Sequence, residues 1–348
     1  MLNKSDGSTL TPPSRIQFWL TPHRLVLTIL WLVTTIAIIP MLWLGVRDTG
    51  GYSLARNILH VGYVAALLWY LGRSEPSINQ LPEIRPFVFP RWRYGSWIPV
   101  LIITILLAMT AISDDGVDLL MILMIVATVW ILLVWRREIK LRSVIQGFAL
   151  ALIAYLAGLP FLYNGFISET GFYLLIIPVP PMYIAGGLLV NRTGLGGVQL
   201  LVKRYYQALR SFLLGCLLFV PLGLFNAAGG SPGSNITWVS EWWMPFSQPW
   251  FSAITEETWF RLLLVGLCYF LLRPAFPTRP ALPILAAVLF SGITFGLGHG
   301  QTLERFLTTG LLYGLPMAVI FARRDWEHAV GAHYMINMIP WVMVFLGS

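Results

Sequence analysis

The chain has 348 residues, of which 57% are hydrophobic and only 11% charged, with a formal net charge of +8. A soluble fold could not bury that much apolar surface, whereas a bilayer solvates it; crossing the hydrocarbon core takes roughly 20 apolar residues as a helix, and the chain offers about eleven such runs. The runs are continuous and do not alternate apolar with polar residues, which excludes a transmembrane barrel. An all-α, polytopic transmembrane helical bundle is therefore expected.

In chain order, residues 1–24 are polar and rich in Ser, Thr and Pro. They read as a disordered cytoplasmic N-terminus without a signal peptide, so the first span would act as its own targeting signal. Spans are expected over 25–45, 53–71, 96–113, 117–135, 143–162, 172–190, 211–228, 250–272, 283–299, 304–321 and 327–347. The second is the weakest, because it carries Arg56, Asn57 and His60.

Basic residues fall in alternate loops. Lys4, Arg15 and Arg24 precede the first span, and Arg73, Arg85, Arg91 and Arg93 follow the second. Arg136, Arg137, Lys140 and Arg142 follow the fourth, and Arg192, Lys203, Arg204 and Arg210 follow the sixth. Arg273 and Arg279 come after the eighth span, and Arg323 and Arg324 after the tenth. The opposite loops hold only Arg47 and Arg305. By the positive-inside rule the N-terminus is cytoplasmic and the C-terminus external. The positive charge thus reflects topology, and no nucleic-acid partner is expected.

The 229–250 loop combines glycine and proline with Trp238, Trp242, Trp243, Phe246 and Trp250. Tryptophans of this kind suit the headgroup level as an anchoring belt. Asn235-Ile-Thr237 matches a glycosylation acceptor, a motif common by chance. Cys216 and Cys268 lie inside expected spans and form neither a disulfide framework nor a metal-ligand pair. No fixed-period repeat and no inverted pair of broken segments of the transporter kind is visible.

The informative polar residues cluster in the last four spans. Pro249 suits an early position in the eighth helix, with Gln248 or Ser247 near its cap. Within that helix stand Glu256, Glu257 and Arg261. Charges inside a span are costly and normally face the bundle interior. Glu257 and Arg261 are four apart on one face and form a structural ion pair, which the permanently charged guanidinium requires. Glu256 lies about 100° around the helix and is left free for chemistry.

The ninth span ends at His299, and the last contains His333 and Asn337, again four apart. A carboxylate, two imidazoles and an amide on three helices suit attack of an activated water on a carbonyl. Glu256 would take the proton, and His333 or Asn337 would donate to the developing oxyanion. Glu256, His299 and His333 could equally hold a divalent metal such as zinc and leave a fourth position for water. No His-Glu-x-x-His signature supports the metal, so a glutamate-activated water is preferred.

Glu256-Glu257-x-x-x-Arg261, Phe295-x-x-x-His299 and His333-x-x-x-Asn337, in that order on successive spans, resemble the motifs of the CAAX-protease and bacteriocin-processing (CPBP) intramembrane proteases. That family includes the type II CAAX prenyl endopeptidase. The resemblance covers about residues 211–348, leaving 25–210 as an N-terminal transmembrane bundle of unassigned role. It implies endoproteolysis of a membrane-embedded or lipidated protein or peptide. Glu256 would be the base, and His299 would position or activate the water. His333 and Asn337 would stabilise the oxyanion, while Glu257 and Arg261 hold the helix. A non-catalytic scaffold or immunity-type relative is the alternative, and a transporter a weaker one. With no organelle-targeting or retention motif, the expected location is a bacterial plasma (inner) membrane.

One count does not fit. Measured along helices from their cytoplasmic ends, Glu257 and His299 lie roughly 24 Å deep, but His333 only roughly 13 Å and Asn337 roughly 20 Å. His60 and His328 read as packing or interfacial residues, and Asp114, Asp115 and Asp118 as a cap for the fourth helix. Gly310-x-x-x-Gly314 reads as close helix packing.

Overall fold

The computed structural model describes residues 21–43, 50–73, 101–106, 109, 114–229, 239, 241–276, 278–279 and 281–347. Among them are ten helices long and apolar enough to cross a membrane. They are α1 (Pro22–Ile39), α2 (Leu54–Arg73), α3 (Gly116–Val134), α4 (Leu141–Tyr163), α5 (Glu169–Thr193), α6 (Tyr205–Ala228), α7 (Met244–Ala275), α8 (Ala281–Gly298), α9 (Leu303–Arg323) and α10 (Trp326–Leu346). No strand occurs among the described residues, and the protein is an all-α integral membrane bundle. The ten match the expected spans except 96–113, which lies largely outside the described residues. So do residues 1–20, Asn235 and Trp238.

Sidedness is visible in the contacts. Arg323 donates to the carbonyls of Leu71 and Gly72 at 3.1 and 3.0 Å, and the Trp326 N–H donates to the Gly197 carbonyl at 2.8 Å. Arg192 pairs with Glu138, and Arg142 donates to the Leu200 carbonyl. The ends of α2, α3, α5 and α9 and the start of α10 therefore gather on one face, the one that carries the basic loops.

The helices begin and end for identifiable reasons. Ser168 accepts from the Gly171 N–H at 3.1 Å and caps the start of α5. Gly194 stops it in the left-handed conformation, with φ 69°. Prolines inside spans free carbonyls from the helical ladder, and at Pro221 and Pro340 side chains satisfy them. Pro221 cannot donate to Leu217, whose carbonyl instead accepts from the Trp31 indole N–H at 2.8 Å. Pro340 likewise frees Ile336, whose carbonyl accepts from the Asn226 amide at 3.1 Å.

α7 runs through the middle of the packed half of the bundle and touches α3, α4, α5, α8, α9 and α10. Pro249 opens the segment that leads to Glu256 with Gln248 as its N-cap residue, as expected, but no side chain caps it: the Gln248 N–H bonds to the Met244 carbonyl at 3.0 Å from the preceding turn Met244–Ser247. Beyond Glu256 the winding loosens into a π-helix over Glu257–Val265. Around its start, the Thr255 and Thr258 hydroxyls donate to the carbonyls of Phe251 and Ile254 at 2.7 and 2.6 Å. Such back-bonding competes with the α-helical ladder and bends helices. The Phe260 carbonyl inside the π segment accepts from Ser291 of α8 at 2.8 Å.

Two close helix pairs set the positions of α8 and α10. α10 packs most extensively on α6. A Cβ on Gly215 would lie 2.2 Å from the His328 carbonyl oxygen, and one on Gly331 2.1 Å from that of Phe212. On the other side, Cβ atoms on Gly296 and Gly314 would meet Gly310 Cα at 2.6 Å and the Gly292 carbonyl oxygen at 2.9 Å. The expected close packing at Gly310 and Gly314 is thus present, between α8 and α9. His60 stacks on Phe225 with ring centroids 4.3 Å apart, a packing role as expected.

Candidate active site

Three spans bring their polar residues to one place. Glu256, at the last α-helical position before the π segment of α7, points its Oε2 toward Nε2 of His299 at 3.6 Å and Nε2 of His333 at 3.8 Å. The Glu256 side chain is 16% exposed, that of His299 38% and that of His333 5%. The site is therefore open on the α8 side and closed on the α10 side.

Glu257 is fully buried with Arg261, whose Nε lies 3.3 Å from its Oε2. The expected ion pair is present, but Glu257 does more. Its Oε1 accepts from Nδ1 of His333 at 2.8 Å. Both oxygens of this carboxylate are thereby committed, one to the guanidinium and one to the imidazole. Arg261 also reaches Ser291 Oγ at 3.4 Å and lies 4.4 Å from the Phe295 ring centroid. A desolvated cation against an aromatic face is favourable in itself.

These contacts decide the histidine tautomers. Nδ1 of His299 sits 2.8 Å from the Phe295 carbonyl, which can only accept, and Nδ1 of His333 faces the Glu257 carboxylate. Each ring in its neutral form carries its proton on Nδ1 and presents an unprotonated Nε2 to Glu256. The Phe295 ring contacts both, with centroids 4.6 Å from His299 and 5.8 Å from His333. Asn337 lies one turn further along α10, and its amide donates to Ser252 Oγ at 2.7 Å. Ser252 is four residues before Glu256 on α7, so this bond ties the Asn337 side chain to the helix that carries the carboxylate.

All six residues singled out in the sequence are thus brought together. The start of α10 is covered by protein: Asp325 and Glu327 are 1% and 4% exposed, beneath the 194–204 loop. Leu200 N–H donates to Glu327 at 2.9 Å, Gln199 to Asp325 at 3.1 Å and Ser211 to Asp325 at 2.8 Å. His328 bonds Asp325 through both its backbone N–H and its Nδ1, at 2.9 and 2.7 Å, a packing role in keeping with its sequence reading. Whatever depths are counted along the sequence, His299 and His333 reach the same carboxylate oxygen.

Ser252, Ser291 and the second role of Glu257 were not evident from sequence. A serine inside a span ordinarily bonds to its own helix, and only the packing of α8 and α10 shows otherwise.

For metal binding, the two gaps to Glu256 somewhat exceed the ~3.4 Å edge of a tetrahedral site with bonds of ~2.1 Å. Among the described residues, no group of three His, Cys, Asp or Glu side chains is arranged to hold a metal ion.

A carboxylate flanked by two imidazoles inside a helical membrane bundle is the constellation expected from the sequence. Comparison with known families agrees: residues 238–339 match the family model described as type II CAAX prenyl endopeptidase Rce1-like. That segment runs from just before α7 to within α10, contains all six residues, and bears out the CPBP resemblance there. No curated protein and no solved structure matches the chain.

Proposed function

We propose that the protein is an intramembrane endopeptidase that hydrolyses a peptide bond of a membrane-embedded or lipidated protein or peptide with a water activated by Glu256. The observation that carries the reading is the convergence of Glu256 Oε2 on two Nε2 atoms, at 3.6 and 3.8 Å, while the neighbouring Glu257 is fully buried. Gaps of that length are too long for direct hydrogen bonds and suit a bridging water.

Glu256 takes the proton of that water as it attacks the carbonyl carbon, and passes it to the amine nitrogen when the tetrahedral intermediate collapses and the C–N bond breaks. His299, the most exposed of the three, accepts the second water hydrogen at Nε2 and orients the lone pair. His333 takes up a proton from solvent at Nε2 before the attack and donates a hydrogen bond from it to the developing oxyanion. The Glu257 carboxylate behind Nδ1 stabilises the imidazolium so formed. Asn337 spends one amide hydrogen on Ser252 and keeps the second for the same oxygen. Arg261 supplies the counter-charge to Glu257 in the apolar interior.

The purified protein in nanodiscs, given lipidated and transmembrane peptides, is expected to cut at least one, and Glu256→Gln to abolish the cut. Equal cleavage by Glu256→Gln, or none by the parent on the whole panel, sinks the proposal and favours a non-catalytic scaffold. A chelator arm settles the cofactor. Activity that survives chelation supports the water mechanism, and loss restored by zinc assigns a metal to Glu256, His299 and His333.

A further inference from the structure

The face that carries the basic loops holds a second feature, remote from the carboxylate site. A cavity of ≈ 380 Å³ opens among the start of α4, the end of α5 and the 194–204 loop. Its size is that of a small-ligand pocket. Lys140, Arg204 and Arg324 line it, and Ile184 and Leu188 form part of its apolar wall. The single acid in the lining, Glu138, is engaged by Arg192, which itself lies 4.2 Å over the Trp135 ring. Three cations thus face one neutralised carboxylate, with apolar helix surface behind them.

That combination is amphipathic in the way a lipid is. The cations would meet a phosphate, and the apolar wall the carbon chain just below it. The cavity also lies where such a ligand is found: by the positive-inside rule this face meets the cytoplasmic leaflet, and basic pockets between spans there recognise anionic headgroups. We propose that this cavity binds the phosphate group of an anionic lipid of the cytoplasmic leaflet.

The site is joined to the fold of α10. The loop that supplies Gly197, Gln199 and Arg204 to the cavity also holds the start of α10 through Gly197, Gln199 and Leu200. A bound lipid would therefore stiffen the anchorage of the helix that bears His333 and Asn337. The proposal concerns binding and stands independently of any proteolysis.

The test uses the full chain in detergent, titrated with phosphatidylglycerol, phosphatidylcholine or inorganic phosphate, with lipid adducts counted by native mass spectrometry and melting followed by tryptophan fluorescence. Lys140→Ala/Arg204→Ala is compared with Lys203→Ala/Arg210→Ala, two basic residues of the same face outside the lining. Phosphatidylglycerol is expected to bind the parent and the second pair equally, and the first pair about tenfold more weakly. Equal losses in the two pairs would show only a diffuse positive surface and overturn the site. Equally tight binding of phosphatidylcholine also overturns it. Stabilisation by inorganic phosphate as large as that by the lipid would overturn the lipid source.

Discussion

At the scale of single residues, the site separates two adjacent glutamates by what surrounds them. Glu256 is partly exposed and faces the Nε2 atoms of two histidines, whereas Glu257 is buried and binds a guanidinium and an imidazole. Their substitutions should fail in different ways. Glu257→Gln leaves Arg261 buried without its counter-charge, and removing one partner of such a pair costs about 3–5 kcal/mol. It is expected to lower the melting temperature markedly in detergent, while Glu256→Gln melts like the parent but does not cleave. Asn337→Ala removes the proposed oxyanion donor, for which a loss of about 10²–10³ in kcat is expected. Ser252→Ala should reduce kcat less than Asn337→Ala and leave KM unchanged, since it only frees the amide that Ser252 holds. A steady-state comparison of the two variants checks the order.

At the scale of helices, the active-site geometry depends on close approaches that only glycine permits. Gly215 and Gly331 let α6 and α10 touch backbone to backbone, and each would place a Cβ within about 2.2 Å of a carbonyl oxygen. Gly331→Leu is expected to cost at least the 1–3 kcal/mol typical of overpacking and to move His333 away from Glu256. Thermal melts would then fall together with activity, whereas Gly62→Ala, with open space around it, should leave both unchanged. Sequence reading found the pair Gly310 and Gly314 because both glycines lie on one helix four apart. It missed Gly215 and Gly331 because each helix contributes one glycine, and no spacing along the chain announces such a meeting. The π segment of α7 was equally hidden, for its cause is threonine back-bonding and a serine supplied by another span.

At the scale of the whole molecule, hydropathy and loop charge sufficed to place every described span. Both are properties of stretches about 20 residues long, which single contacts cannot disguise. What they could not show is that the start of α10 is covered by protein, because hydropathy does not register packing. The anchor there is titratable. Burial pushes the Asp325 carboxyl up, but hydrogen bonds from His328 and Ser211 and the charge of His328 bring it below the usual carboxylate range. A folded-state pKa below the unfolded value of about 3.9 contributes stability above that pH, and the contribution is lost as pH falls through the folded value. Asp325→Asn is therefore expected to melt lower than the parent at neutral pH, with the gap closing below about pH 4.

The buried start of α10 also bears on how the chain is made. Asp325, Glu327, His328 and His333 all fall in or beside the last span, and each raises the cost of releasing that segment alone into lipid. Their partners Gln199, Leu200 and Ser211 are synthesised more than a hundred residues earlier, and Glu257 some seventy. α10 is therefore poorly suited to leave the translocon by itself, and its insertion is expected to depend on α6 and the 194–204 loop being already in place.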